Sequence, residues 1–172
     1  GLDYNGPSAI RYPRGNSSGN EVIITDETIE IGKSLVICEG TSIAILVFGE
    51  LLNKVVDISK NLSLTLIDMR FAKPLDIDLI KILAENHELL ITLEEGSIGG
   101  FGSHVVDWLL KNNLINNNLK VKSLFLPDRF IDQASPDVMY KEAGLDVTGI
   151  TKTILDGLGI ADIRSNKITS IK

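Results

Sequence analysis

Leu89-Leu90-Ile91-Thr92-Leu93-Glu94-Glu95-Gly96-Ser97-Ile98-Gly99-Gly100-Phe101-Gly102-Ser103 decides the fold class. Residues 89–93 form a near-continuous apolar run, as required of a strand covered on both faces. Two carboxylates and a glycine-rich turn follow, and residues 104–110 start another helix. The pattern is strand, tight turn, helix. Residues 34–38 and 42–48, upstream, are short, β-branched and apolar, hence strands, and Glu39-Gly40-Thr41 between them reads as a hairpin turn. Residues 50–61 place Leu51, Leu52, Val55 and Val56 on one side of an amphipathic helix. A strand at 64–68 leads to a helix at 76–86, with Ile77, Ile80 and Leu83 at helical spacing. Downstream come a strand at 120–126 and helices at 135–143 and 147–158.

This alternation calls for βαβ units around a mostly parallel sheet. The expected fold is α/β, a three-layer αβα arrangement, with the early hairpin adding one antiparallel edge strand. Residues 29–159 form the domain. Residues 1–28, broken by Gly6-Pro7, Pro13, Gly15 and a small polar cluster at 16–20, read as the end of a preceding domain and a linker. Residues 160–172 lack an apolar face and read as a flexible tail. The chain opens Gly1-Leu2-Asp3-Tyr4, without an initiator Met or a visible targeting peptide, as if from the middle of a longer sequence.

Composition narrows the function classes. With 44% hydrophobic and 23% charged residues, the 172-residue chain falls among ordinary globular domains with a proper core. Its net charge of −6 and lack of clustered Lys and Arg argue against a nucleic-acid partner. No apolar run approaches the roughly 20 residues of a membrane span. The single cysteine, Cys38, excludes an intramolecular disulfide and suits a reducing compartment.

Four segments can carry chemistry. Arg11-Tyr12-Pro13-Arg14-Gly15 holds two guanidiniums on a stiff turn, which can grip a phosphate or pair with acidic neighbours. In Asp68-Met69-Arg70-Phe71-Ala72-Lys73-Pro74-Leu75-Asp76, the expectation is structural: an Asp68–Arg70 ion pair and Asp76 as a helix N-cap. Glu94 to Ser103 suggests a metal or phosphate site. Its spacing is not the GxGxxG fingerprint, however, and no Lys follows Gly-Ser as in a P-loop. A close-packed turn with Ser103 capping the helix is the plainer reading. Leu126-Pro127-Asp128-Arg129-Phe130-Ile131-Asp132-Gln133 mixes charge with exposed apolar groups and suits an interface. His87 lies near a helix C-terminus. His104 is the better functional candidate, yet no Ser or Cys nucleophile stands at a recognisable spacing from either, and no zinc-type cluster is present. No catalytic residue is assigned.

Gly6 to Asn16, Asp68 to Asp76, Glu94-Glu95 with its glycine loop, Leu126 to Ile131, and Gly144-Leu145-Asp146 with Gly149-Ile150 together resemble the C-terminal part of the 1-deoxy-D-xylulose-5-phosphate synthases, which are transketolase-like thiamine-diphosphate enzymes. The Asp68 to Asp76 segment and the Glu94-Glu95 glycine loop are shared with transketolases and 2-oxo-acid dehydrogenase β subunits, the alternative family. The resemblance implies a parent transferase that condenses pyruvate with glyceraldehyde 3-phosphate and releases CO2, feeding isoprenoid, thiamine and pyridoxal synthesis. It implies that upstream domains of the same polypeptide bind thiamine diphosphate and Mg2+, and that none binds on this chain. It further implies a structural, homodimer-forming role, inactivity of the chain alone, and a bacterial cytoplasmic or plastid-type location. Arg14 is similar to the family arginine that binds the aldehyde's phosphate. Arg11 is expected to be structural.

Overall fold

The computed structural model describes residues 5–10, 28–116, 118–157 and 159. The expectations for Arg11, Arg14 and the 160–172 tail lie outside these residues, as does most of the 1–28 linker. Five strands, β1 (Leu35–Cys38), β2 (Ile43–Phe48), β3 (Thr65–Asp68), β4 (Leu89–Glu94) and β5 (Lys120–Leu124), form one sheet in the order β1-β3-β2-β4-β5. The helices are α1 (Leu52–Asn61), α2 (Ile77–Asn86), α3 (Phe101–Lys111), α4 (Pro136–Ala143) and α5 (Val147–Gly157). All pairings are parallel except β1 with β3, so the α/β class is as the alternation predicts, and one antiparallel edge strand is present as expected, though with a different partner.

The period-2 geometry of β2 explains the three layers. Ile43, Ile45 and Val47 point to one face and pack with Leu51 and Val55 around α1 and with Ile150 and Ile154 of α5. Ala44 and Leu46 point to the other, with Ile80 and Leu83 of α2 and Phe101, Val105 and Leu109 of α3. Each of the larger side chains, fully buried, contributes roughly 1.5–3 kcal/mol.

The hairpin expectation is corrected. β1 pairs with β3, not with β2, and β2 lies between the parallel strands β3 and β4. Close approach decides this. A Cβ at Gly40 would lie 2.1 Å from the Ser63 carbonyl oxygen, and the Gly40 N–H donates to Thr65 Oγ1 at 2.9 Å. Thr41 N–H also donates to the Ser63 carbonyl. The 39–41 connection is therefore held against the entry to β3. Burial agrees, because β2 is apolar on both faces and belongs at the centre, whereas Leu35 and Val36 of β1 stay substantially exposed.

The chain thus runs from β2 outward to β3 through α1, then crosses back past β2 to β4 through α2 on the opposite face. The C-terminal ends of β2 and β4 flank the point where the winding reverses, the usual ligand crevice of an open α/β sheet.

Candidate functional site at the β2/β4 crevice

Glu94 and Glu95 end β4 at this crevice, and Phe48-Gly49-Glu50 ends β2 opposite them. Glu94 is 4% exposed. Its Oε2 accepts from the Phe101 N–H at 3.0 Å and its Oε1 from the Gly102 N–H at 2.9 Å. These are orphan donors of the first turn of α3, at the positive end of the helix dipole, where a carboxylate is stabilised. The glycines make room for it. A Cβ at Gly96 or at Gly100 would lie 2.3 Å from Glu94 Oε2. The ring of Phe101 then stacks on Phe48 of β2 with centroids 5.4 Å apart, which closes the floor of the crevice.

The glycine loop is therefore an anion site, and the anion is the protein's own. This corrects the expected Ser103 cap. The N-cap is Gly100, the helix begins three residues earlier than expected, at Phe101, and Ser103 Oγ instead accepts from the Gly99 N–H at 3.0 Å. A carboxylate seven residues before a helix, with glycines between, is a signal visible in sequence. A search confined to external ligands overlooks it.

Glu95 turns the other way. The Tyr140 hydroxyl of α4 donates to its carboxylate, and Lys54, in the first turn of α1, sits 4.9 Å over the Tyr140 ring. Lys54 Nζ also reaches Asp137 of α4 at 3.1 Å. Tyr140 is thus wedged over the mouth of the crevice between the start of α1 and the end of β4. Sequence reasoning had no access to this group, because its members come from distant segments, Lys54 and Asp137 alone being 83 residues apart.

The other expected pairings fall beside the crevice. Asp68 and Arg70 form their ion pair at 3.7 Å, and Asp68 also accepts the Arg70 N–H at 3.1 Å. Asp76 caps α2 through the Leu79 N–H and additionally accepts from the Ser34 N–H at 2.8 Å, tying the start of β1 to the sheet. Leu126 N–H bonds the Gly96 carbonyl, so β5 ends at Leu124 and the 126–133 segment leaves along the crevice rim. At its tip Phe130 is wholly exposed (101%), and Arg129 pairs with Glu142.

The histidines separate. His87 is the C-cap of α2, with Nδ1 bonded to the Leu83 carbonyl and Nε2 to Thr65 Oγ1, so it braces α2 against β3. His104 lies half-buried in the first turn of α3. Among the described residues no three of His, Cys, Asp and Glu converge as metal ligands. Two clefts of about 410 Å³ each lie at the opposite, N-terminal end of the strands, one lined by Ser42, Glu88 and Lys120, the other by His87, Glu88 and Asn116.

Known proteins share this arrangement. A solved chain described as a split-gene transketolase, an inactive beta4 tetramer, superposes with a TM-score of 0.70 at 25% identity, over 83% of this chain and 48% of that one. This chain therefore spans about half the length of the protein it matches. The sequence model of the transketolase C-terminal domain matches residues 32–150, from just before β1 into α5. On that match, the chain belongs to the transketolase C-terminal domain family.

Proposed function

We propose that this chain is the C-terminal, assembly-building domain of a thiamine-diphosphate transferase of the 1-deoxy-D-xylulose-5-phosphate synthase kind, and that it does not catalyse alone. The observation that carries the reading is the filling of the β2/β4 crevice by the Glu94 carboxylate. A cofactor diphosphate would compete for the same helix N–H groups and meet a buried negative charge there. The described residues thus do not fit thiamine diphosphate. In this reading the cofactor and Mg2+ are held by upstream domains, which perform the chemistry on pyruvate and glyceraldehyde 3-phosphate.

What this chain contributes is surface. Phe130 and Ile98 are exposed apolar groups at the sheet's C-terminal rim, the composition of contact with the rest of the enzyme or a homodimer partner. Arg14 contributes an arginine fork toward the aldehyde's phosphate. A second reading is favoured by the split-gene match: a domain of one subunit of a two-chain transketolase-like enzyme, with the 2-oxo-acid dehydrogenase β subunits included.

Turnover assays with pyruvate, glyceraldehyde 3-phosphate, Mg2+ and thiamine diphosphate test the proposal. The chain alone is expected to stay at blank, and turnover above blank overturns the non-catalytic role. In the enzyme joined to its upstream domains, Arg14→Ala raises KM for the phosphorylated aldehyde about tenfold or more with little change in kcat, the pattern of lost uniform binding. An unchanged KM removes Arg14 from the site. Condensation of pyruvate with a different acceptor, or acyl transfer to a lipoyl carrier, favours the second reading.

A further inference from the structure

We propose that α4 and the connection leading into it form a hinged cover over the β2/β4 crevice, one that opens as a unit while the rest of the domain stays folded. The inference concerns this chain's own packing and holds whichever transketolase-like enzyme the domain serves. The cover runs from Pro127 to Gly144 and is pinned at both ends. Leu126 N–H bonds the Gly96 carbonyl on one side, and on the other Leu145 is buried in the core cluster that holds Ile150 and Ile154. Between the pins there is little apolar anchorage. α4 buries none of its residues, and residues 132–138 are all exposed.

Polar ties hold it down. The Tyr140 hydroxyl donates to Glu95 at the end of β4, and Lys54 of α1 bonds Asp137 while lying over the Tyr140 ring. Tyr140 and Ala143 add partial packing against the α1/α5 face of the sheet. The Arg129–Glu142 pair joins the connection to α4 and so keeps the cover together as one piece. The Lys54–Asp137 tie is exposed on its acidic side and worth little in water. The hydrogen bond from Tyr140 to a carboxylate, half-buried, is the stronger latch. Gly144 supplies the hinge. It adopts φ +73°, ends α4, and has open space on its Cβ side. Elements with few buried apolar contacts open locally at free energies well below global unfolding. Here such opening uncovers the crevice mouth at Glu95.

Hydrogen–deuterium exchange of the intact chain tests this. In the wild-type protein, amides of α4 from Met139 to Ala143 are expected to exchange at least about 100-fold faster than those in the middle of α5, a helix anchored by the buried Ile150 and Ile154. Tyr140→Phe keeps the ring and loses the latch. It speeds α4 exchange about tenfold further and leaves α1, α5 and β4 within twofold. Equal protection of α4 and α5 in the wild type overturns the proposal without recourse to any variant. So does a Tyr140→Phe effect spread evenly over all elements, which would make Tyr140 a core residue. Lys54→Met, which retains the stem of the side chain, separates the weaker tie and should speed α4 alone by about two- to threefold.

Discussion

Two loops leave the same edge of the sheet, and each starts with a carboxylate at a strand's end. In the loop after β3, Asp68 is half-buried, keeps contact with water and pairs with Arg70 two residues away. In the loop after β4, Glu94 is buried and satisfies two backbone donors of the next helix. The residues are chemically alike, but their solvent differs. A carboxylate that water still reaches exchanges one set of partners for another at little net gain, whereas a fully buried one shares its fate with the donors it serves. Glycines make the difference possible. The first loop closes with Pro74, Leu75 and a capping Asp76, while the second has Gly96 and Gly100 at the two places where a side chain would strike the carboxylate.

Substitutions rank the two loops. The largest effect is expected from Glu94→Ala, which leaves the Phe101 and Gly102 N–H groups without their acceptor inside the protein and opens a void among the glycines. About 3 kcal/mol of stability should be lost in urea unfolding. A loss under about 1 kcal/mol breaks the comparison, since it means water replaces the carboxylate freely. Asp76→Ala comes next. It removes the α2 cap and the tie to Ser34, with an expected cost of about 1–2 kcal/mol and fraying confined to α2 and β1, visible in amide exchange. Asp68→Ala should matter least, within about 0.5 kcal/mol by the same unfolding assay, because its ion pair is long and partly solvated. If Asp68→Ala costs as much as Asp76→Ala, the first loop is no mere surface turn.

Much of this was legible along the chain. The apolar runs of β2 and β4 and the helical spacing of Ile77, Ile80 and Leu83 record burial directly, so the elements and their class follow from local pattern. Asp76 and the Asp68–Arg70 pair were equally readable, since capping and short-range pairing act within a few residues. The hairpin was not. Glu39-Gly40-Thr41 has turn composition, but which strand β1 joins depends on the entry to β3, some 25 residues on, where Gly40 meets Ser63 and Thr65. The Ser103 cap failed for a related reason. Ser103 stands where a cap is chemically suitable, but Glu94 outcompetes it for the helix donors from the strand end.

By itself the sequence determined that this protein alternates strands and helices around a parallel sheet, because side-chain periodicity is a property of neighbours along the chain. It also determined that a close-packed, glycine-rich turn leads from β4 into a helix, but not that the turn holds an anion. Only the tertiary structure decided which anion fills it. Satisfying two buried N–H groups requires a carboxylate at a particular point in space, and the end of β4 delivers Glu94 there while α4 reaches over from the far side to hold Glu95.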